Sequence, residues 1–158
     1  MKQFSIARRA TILLSVALLT ACASGVKLDD VDGKGGTDYS SQPWNDPKSP
    51  LFKRSVYFDF DSYAVKPEYQ ATLQAHANYL KANKDRKIKI EGNTDERGTT
   101  EYNLALGQRR SEAVRKSLSL LGVPDSQMEA VSFGKEKQKA QGSNEAAWKE
   151  NRRADIAY

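Results

Sequence analysis

A charge-free apolar run from Ala10 to Ala21 (ATILLSVALLTA), with Lys2, Arg8 and Arg9 before it and Cys22 after it, constrains this chain more than any other feature. A helix that crosses the hydrocarbon of a bilayer needs roughly 20 apolar residues, and this run is too short to remain as a span. The pattern of a basic start, a short apolar stretch and small residues at its end is that of a secretory signal peptide over residues 1–21. The fold must therefore be built from residue 22 onward. Cys22 is the only cysteine, so no intramolecular disulfide can staple that fold, and an apolar core has to hold it.

The run closes on Leu19-Thr20-Ala21-Cys22, which resembles the lipobox of bacterial lipoproteins. The small residues let an extended segment enter a peptidase cleft, and the thiol of Cys22 is the nucleophile to be acylated. Stable anchoring needs more than one acyl chain. The resemblance implies several, palmitate among them, and Ala23 in place of Asp implies sorting to the outer membrane. Export also changes the charge argument. Without Lys2, Arg8 and Arg9 the net charge of +5 falls to +2, and the basic and acidic side chains of residues 56–158 are well mixed. A nucleic-acid binder concentrates its positive charge on one face, so nucleic acid is not an expected partner.

Residues 22–55 read as a lipidated N-terminus and flexible tether, rich in Gly, Pro, Ser and Asp and without apolar periodicity. Such a stretch reaches at most about 110 Å extended and roughly 30 Å as a coil. Trp44, Leu51 and Phe52 are its apolar exceptions and are expected to dock on the folded part.

From Val56 to Tyr158 the pattern is that of one domain with a single core. Val56 to Phe60 is a short aromatic-rich strand. Pro67 opens a helix with Tyr69, Leu73, His76, Ala77 and Leu80 on one face, closed by Asn83 and Lys84. Lys87 to Glu91 alternates as a second strand. Thr99 or Thr100 caps a long helix that Gly122 and Pro124 stop. Met128 to Phe133 is a third strand, Asn144 to Glu150 a short helix, and Arg153 to Tyr158 a fourth strand. The expected class is α+β, in the order β-α-β-α-β-α-β.

One residue breaks the pattern. The apolar stripe of the long helix runs through Tyr102, Leu106, Ala113, Val114, Leu118 and Leu121, and Arg110 falls near its middle. A guanidinium aimed at a buried face is costly unless it is paired. Its anionic partner is either internal, with Asp95 and Asp61 as candidates, or a ligand. The loop before the helix, Gly92-Asn93-Thr94-Asp95-Glu96-Arg97-Gly98, leads into a helix N-terminus that favours anions and also presents the Asp95 carboxylate. Asp95 and Arg110 together would suit a zwitterion, with Arg forking onto its carboxylate.

The loop at 92–98, Glu-Tyr-Asn-Leu-Ala-Leu-Gly-Gln-Arg-Arg at 101–110, and the later Phe-Gly-Lys-Glu-Lys and Asn-Arg-Arg-Ala resemble the OmpA-like C-terminal domain family. With the lipobox and the Val-Tyr-Phe-Asp-Phe-Asp opening, the resemblance extends to its peptidoglycan-associated lipoproteins. It covers residues 56–158 nearly end to end. It implies a mixed four-stranded sheet with helices packed on one face, and a ligand: the diaminopimelate residue of uncrosslinked peptidoglycan stem peptides, which carries a carboxylate and an ammonium on one carbon. By the same resemblance Asp95 and Arg110 are the principal pair, Arg97, Leu106, Phe60 and Asp61 line the pocket, and Asn103 orders the loop. Many family members have His where this chain has Asn93. Implied partners are peptidoglycan, TolB and other Tol proteins, and the outer membrane, with the domain in the periplasm and a role in envelope integrity and cell division.

Catalysis is the competing reading. Asp59-Phe60-Asp61 at a strand end could hold Mg²⁺ and form an aspartyl phosphate. About 100 residues leave little room for the rest of such a site, and His76, the only histidine, sits on a buried helix face. Neither a zinc site nor a cofactor is expected. A docking platform without wall binding is the third reading, and it has no need of the Asp95 and Arg110 pair.

Overall fold

The computed structural model describes residues 42–158. The readings placed on residues 1–41, namely the signal peptide, Cys22 and the first part of the tether, lie outside the described residues. No helix among the described residues is long and apolar enough to cross a membrane.

The elements follow in the expected order: β1 (Ser55–Tyr57), α1 (Gln70–Ala82), β2 (Ile88–Asn93), α2 (Thr100–Leu120), β3 (Met128–Gly134), α3 (Glu145–Asn151) and β4 (Arg153–Ala157). They form one mixed sheet in the order β1-β4-β2-β3. β4 runs antiparallel to both β1 and β2, and β2 pairs in parallel with β3 through the α2 crossover. Alternation along the strands sends Val56, Ile88, Ile90, Ala154 and Ile156 to one face, where Leu73, Ala77 and Leu80 of α1 and Val114 and Leu118 of α2 complete the core. Thr99 caps α2 by accepting from the Tyr102 amide at 3.2 Å, and Asn144 caps α3 by accepting from Ala147 at 3.0 Å.

Two glycines set how close α2 comes to the sheet. A Cβ on Gly92 would lie 1.8 Å from the Gly107 carbonyl oxygen, and one on Gly107 would lie 2.3 Å from Ser132 Oγ. Backbone therefore packs on backbone, and α2 side chains one turn beyond Gly107 reach the end of β2. There a register shift between Gly92 and Asn93 interrupts the alternation, so that Asn93, Thr94 and Asp95 are buried in succession.

The first strand is shorter than the aromatic run suggests. The ladder stops at Tyr57, the Phe58 amide donates to the Arg152 carbonyl (2.9 Å), and Arg152 Nε donates to the Phe58 carbonyl (3.2 Å). Phe58 stays buried, while Phe60 and Asp61 turn outward, Asp61 with φ 54°.

The end of the tether packs on the domain as its apolar residues suggest, with one exception. Trp44 is buried, stacked on Tyr158 at 4.3 Å and edge-on to Tyr79 at 5.8 Å, and Leu51 is buried in a 3₁₀ turn at Pro50–Phe52, whereas Phe52 is exposed. His76 lies beneath this cluster as a core histidine. Nε2–H donates to the Lys53 carbonyl (2.9 Å), so Nδ1 accepts from the Tyr158 hydroxyl (2.7 Å), and burial holds its pKa below the ordinary value.

Candidate functional site

The loop between β2 and α2 is held from both sides. Asn103 donates to the Arg97 carbonyl (2.8 Å), Thr94 N–H donates to the Gly134 carbonyl (2.8 Å), and Gly98 takes φ 94°, where a side chain would be strained. These bonds bring Asp95 to the floor of a cleft. Asp95 is 4% exposed, and its carboxylate receives the Arg97 guanidinium at both oxygens (2.7 and 3.2 Å), with Arg152 at 3.5 Å. Burial pushes the Asp95 pKa up, but the Arg97 hydrogen bonds outweigh it and the net shift is downward. The Arg97 guanidinium is itself clamped between the rings of Phe60 (4.2 Å) and Trp148 (3.9 Å).

Arg110 is fully buried, and its partners are neither Asp95 nor Asp61. Nε donates to the Ser62 carbonyl (2.8 Å), Nη1 to Asn93 (2.9 Å) and Nη2 to Asp59 (3.2 Å). The guanidinium thus ties the β1–α1 connection to the end of β2 while keeping its charge, for no carboxylate among the described residues lies within ion-pair distance. Burial pulls its pKa down to about 10, still far above neutrality. Three carbonyls occupy three of its five N–H donors.

The residues expected at a site, Asp95, Arg110, Arg97, Leu106, Phe60, Asp61 and Asn103, all line one cleft of about 210 Å³. Thr94, Gly98 and Tyr102 complete the lining. Two guanidiniums of the lining, Arg97 and Arg110, stand against two carboxylates, Asp61 and Asp95, while Arg152 behind Asp95 is bonded to Glu145 at 2.7 Å. This balance suits a dipolar ligand better than a simple anion or cation.

A family model described as the OmpA family matches residues 57–152. The chain belongs to the OmpA family. Among its relatives is the peptidoglycan-associated lipoprotein of Pasteurella multocida, 47% identical over 144 residues that cover 91% of this chain and 92% of the relative. The peptidoglycan-associated lipoprotein of Pseudomonas putida is 38% identical over 165 residues, covering 99% of each chain. The crystal structure of the peptidoglycan-associated lipoprotein from Burkholderia pseudomallei matches with a TM-score of 0.72 and 69% identity, over 74% of this chain and 99% of that one. The C-terminal domain of Helicobacter pylori MotB shares the fold alone, with 22% identity, a TM-score of 0.60 and coverage of 65% and 81%.

Asn93 does not line the cleft. Its Nδ2 donates to the Glu91 carbonyl (2.9 Å), and its own carbonyl receives Arg110. Tyr102, expected on the buried stripe of α2, is 47% exposed and donates its hydroxyl to Asp61 at the rim of the cleft. The reason is position: it stands in the first turn of α2, beyond the edge of the core. Arg152 and Trp148 are the site residues the sequence reading missed. Both come from α3 and its end, and the only signal was the Asn-Arg-Arg-Ala motif. The two carboxylates of the alternative metal reading, Asp59 and Asp61, are engaged separately. Asp59 pairs with Lys66 (2.6 Å), Asp61 bonds Tyr102, and no group of three or more His, Cys, Asp or Glu among the described residues could hold a metal.

Proposed function

We propose that this chain is an outer-membrane lipoprotein, anchored through Cys22, whose residues 56–158 bind peptidoglycan non-covalently at the diaminopimelate residue of its stem peptides. The observation that carries the reading is a buried, charged Arg110 without a carboxylate partner among the described residues, in the same cleft as Asp95. The names of the relatives support association with peptidoglycan. On this reading the ligand carboxylate takes the remaining N–H donors of Arg110, its ammonium faces Asp95 and Asp61, and Leu106 and Phe60 cover the carbon between them. The chain acts by holding, not by chemistry. His76, the one histidine, has both ring nitrogens bonded within the core, so no imidazole is available as a general base in the cleft. Through the lipid at one end and the wall at the other, the chain would tie the outer membrane to peptidoglycan, with TolB and other Tol proteins as partners in envelope integrity and cell division.

The test is calorimetry of the full lipidated chain in detergent with a stem tripeptide containing meso-diaminopimelate, beside the same peptide with lysine in its place. Lysine keeps an amine and removes the side-chain carboxylate. The diaminopimelate peptide is expected to bind at least about thirtyfold more tightly, the worth of roughly 2 kcal/mol in charge-assisted hydrogen bonds. Equal binding of the two peptides, or binding of neither, overturns the reading.

A further inference from the structure

We propose that a second subsite, on the outer face of α2 beside the cleft, receives the amino-sugar glycan to which the stem peptide is attached; this rests on the wall-binding reading. The cleft itself has about 210 Å³, room for the end of one amino-acid side chain, so the rest of a stem peptide must leave across the surface. A groove of about 520 Å³ lies along the outer face of α2. It and the cleft take neighbouring residues from the same two segments. Ser62 gives its carbonyl to Arg110 in the cleft, and Tyr63 lines the groove; Arg110 serves the cleft, and Arg109 lines the groove. On this proposal the ligand chain crosses the backbone at 62–63 on its way from the cleft to the groove.

The groove has the chemistry that sugars require. A pyranose ring has a C–H face that packs on an aromatic ring and an edge of hydroxyl and acetamido groups that planar polar side chains bracket. Tyr63 is 50% exposed, with the Arg109 guanidinium 5.9 Å from its ring centroid. The floor beyond it offers Gln108 and Glu112, already set in place by a mutual hydrogen bond of 3.1 Å, and Arg115, fixed to Glu112 at 2.7 Å and to Asp125 at 3.0 Å. Preset polar groups of this kind lose little entropy on binding. Arg109 and Lys116 have no carboxylate within ion-pair distance among the described residues, which leaves them for the carboxylates of the peptide that joins glycan to cleft.

The experiment titrates the full lipidated chain in detergent with two probes, the diaminopimelate tripeptide and the same tripeptide joined to its N-acetylated disaccharide. Wild type is compared with Tyr63→Ala and Tyr63→Trp. The disaccharide form is expected to bind about five- to tenfold more tightly than the bare peptide, the size of one aromatic contact. Tyr63→Ala should remove that gain and leave tripeptide binding unchanged, and Tyr63→Trp should retain it. Equal affinity of wild type for the two probes, or a Tyr63→Ala effect that is the same on both, overturns the proposal. Binding of the disaccharide form alone, lost in Tyr63→Ala, would uphold the glycan subsite and overturn the diaminopimelate reading, and binding of neither probe overturns both.

Discussion

Replacing Gly92 with alanine would put a methyl group 1.8 Å from the carbonyl oxygen of Gly107. Both atoms belong to regular backbone, one in β2 and one in α2, so no side-chain rotation relieves the overlap. Restoring an ordinary contact requires α2 to retreat by about 1.5 Å. That retreat would stretch the 2.9 Å bond from Arg110 to the Asn93 carbonyl beyond hydrogen-bond reach. Overpacking of this severity costs about 3 kcal/mol, and the broken buried hydrogen bond adds to it. For a domain of this size the midpoint of thermal unfolding should drop by roughly 15 °C. Circular dichroism melts of wild type and Gly92→Ala would measure the drop, and pull-down with purified cell wall would show whether the cleft is damaged as well. A melting point within about 4 °C of wild type, with wall binding intact, would refute the argument that direct backbone contact between α2 and β2 sets the position of Arg110.

Two further predictions concern titration. Burial holds the His76 pKa below the ordinary histidine value of about 6.5, so between the folded value and about 6.5 the unfolded chain takes up a proton that the folded chain does not. Stability from this group is fully present above about pH 6.5 and is lost as pH falls toward the folded pKa, by up to about 1.4 kcal/mol per pH unit. Urea melts should show that slope in wild type and not in His76→Gln, and parallel pH profiles for the two would be contrary to it. For Asp95 the folded pKa is depressed by the net effect of Arg97, so its contribution is present above about pH 4 and is lost as pH falls through the folded value. Asp95→Asn should cost about 2 kcal/mol at pH 7, because it removes the charge-assisted bonds from Arg97 and leaves the buried Arg152 with Glu145 alone. The gap from wild type should close on acidification, and a gap that stays constant down to pH 2 would contradict the pairing seen here.

Local pattern carried much of the fold. The helical spacing of Leu73, His76, Ala77 and Leu80 and the alternation of Ala154 and Ile156 each have a period that belongs to one element, and each lands in the core. The same logic failed where contacts between distant segments decide. The run from Val56 to Phe60 has strand character throughout, yet the ladder ends at Tyr57: the amide of Arg152, almost 100 positions away, closes α3 on Trp148, and its side chain takes the Phe58 carbonyl instead. Tyr102 fits the period of α2 but overhangs the core, since a helix can be longer than the sheet it covers.

The candidate site divides in the same way. From the sequence alone, Arg110 on an apolar helix face beside the Asp95 loop already marks the place, because an ionised group in a buried stripe is too costly to be incidental. What answers the Arg110 charge could be settled only in three dimensions. The carbonyls of Asp59, Ser62 and Asn93 have no signature in the residue types, since every residue offers a carbonyl, and only the convergence of three segments selects these. Likewise the pairing of Asp95 with Arg152 depends on α3 closing over the loop, which the spacing of the two residues along the chain does not encode. Periodicity fixes which face of an element is buried; the long, flexible reach of an arginine leaves its partner to the tertiary structure.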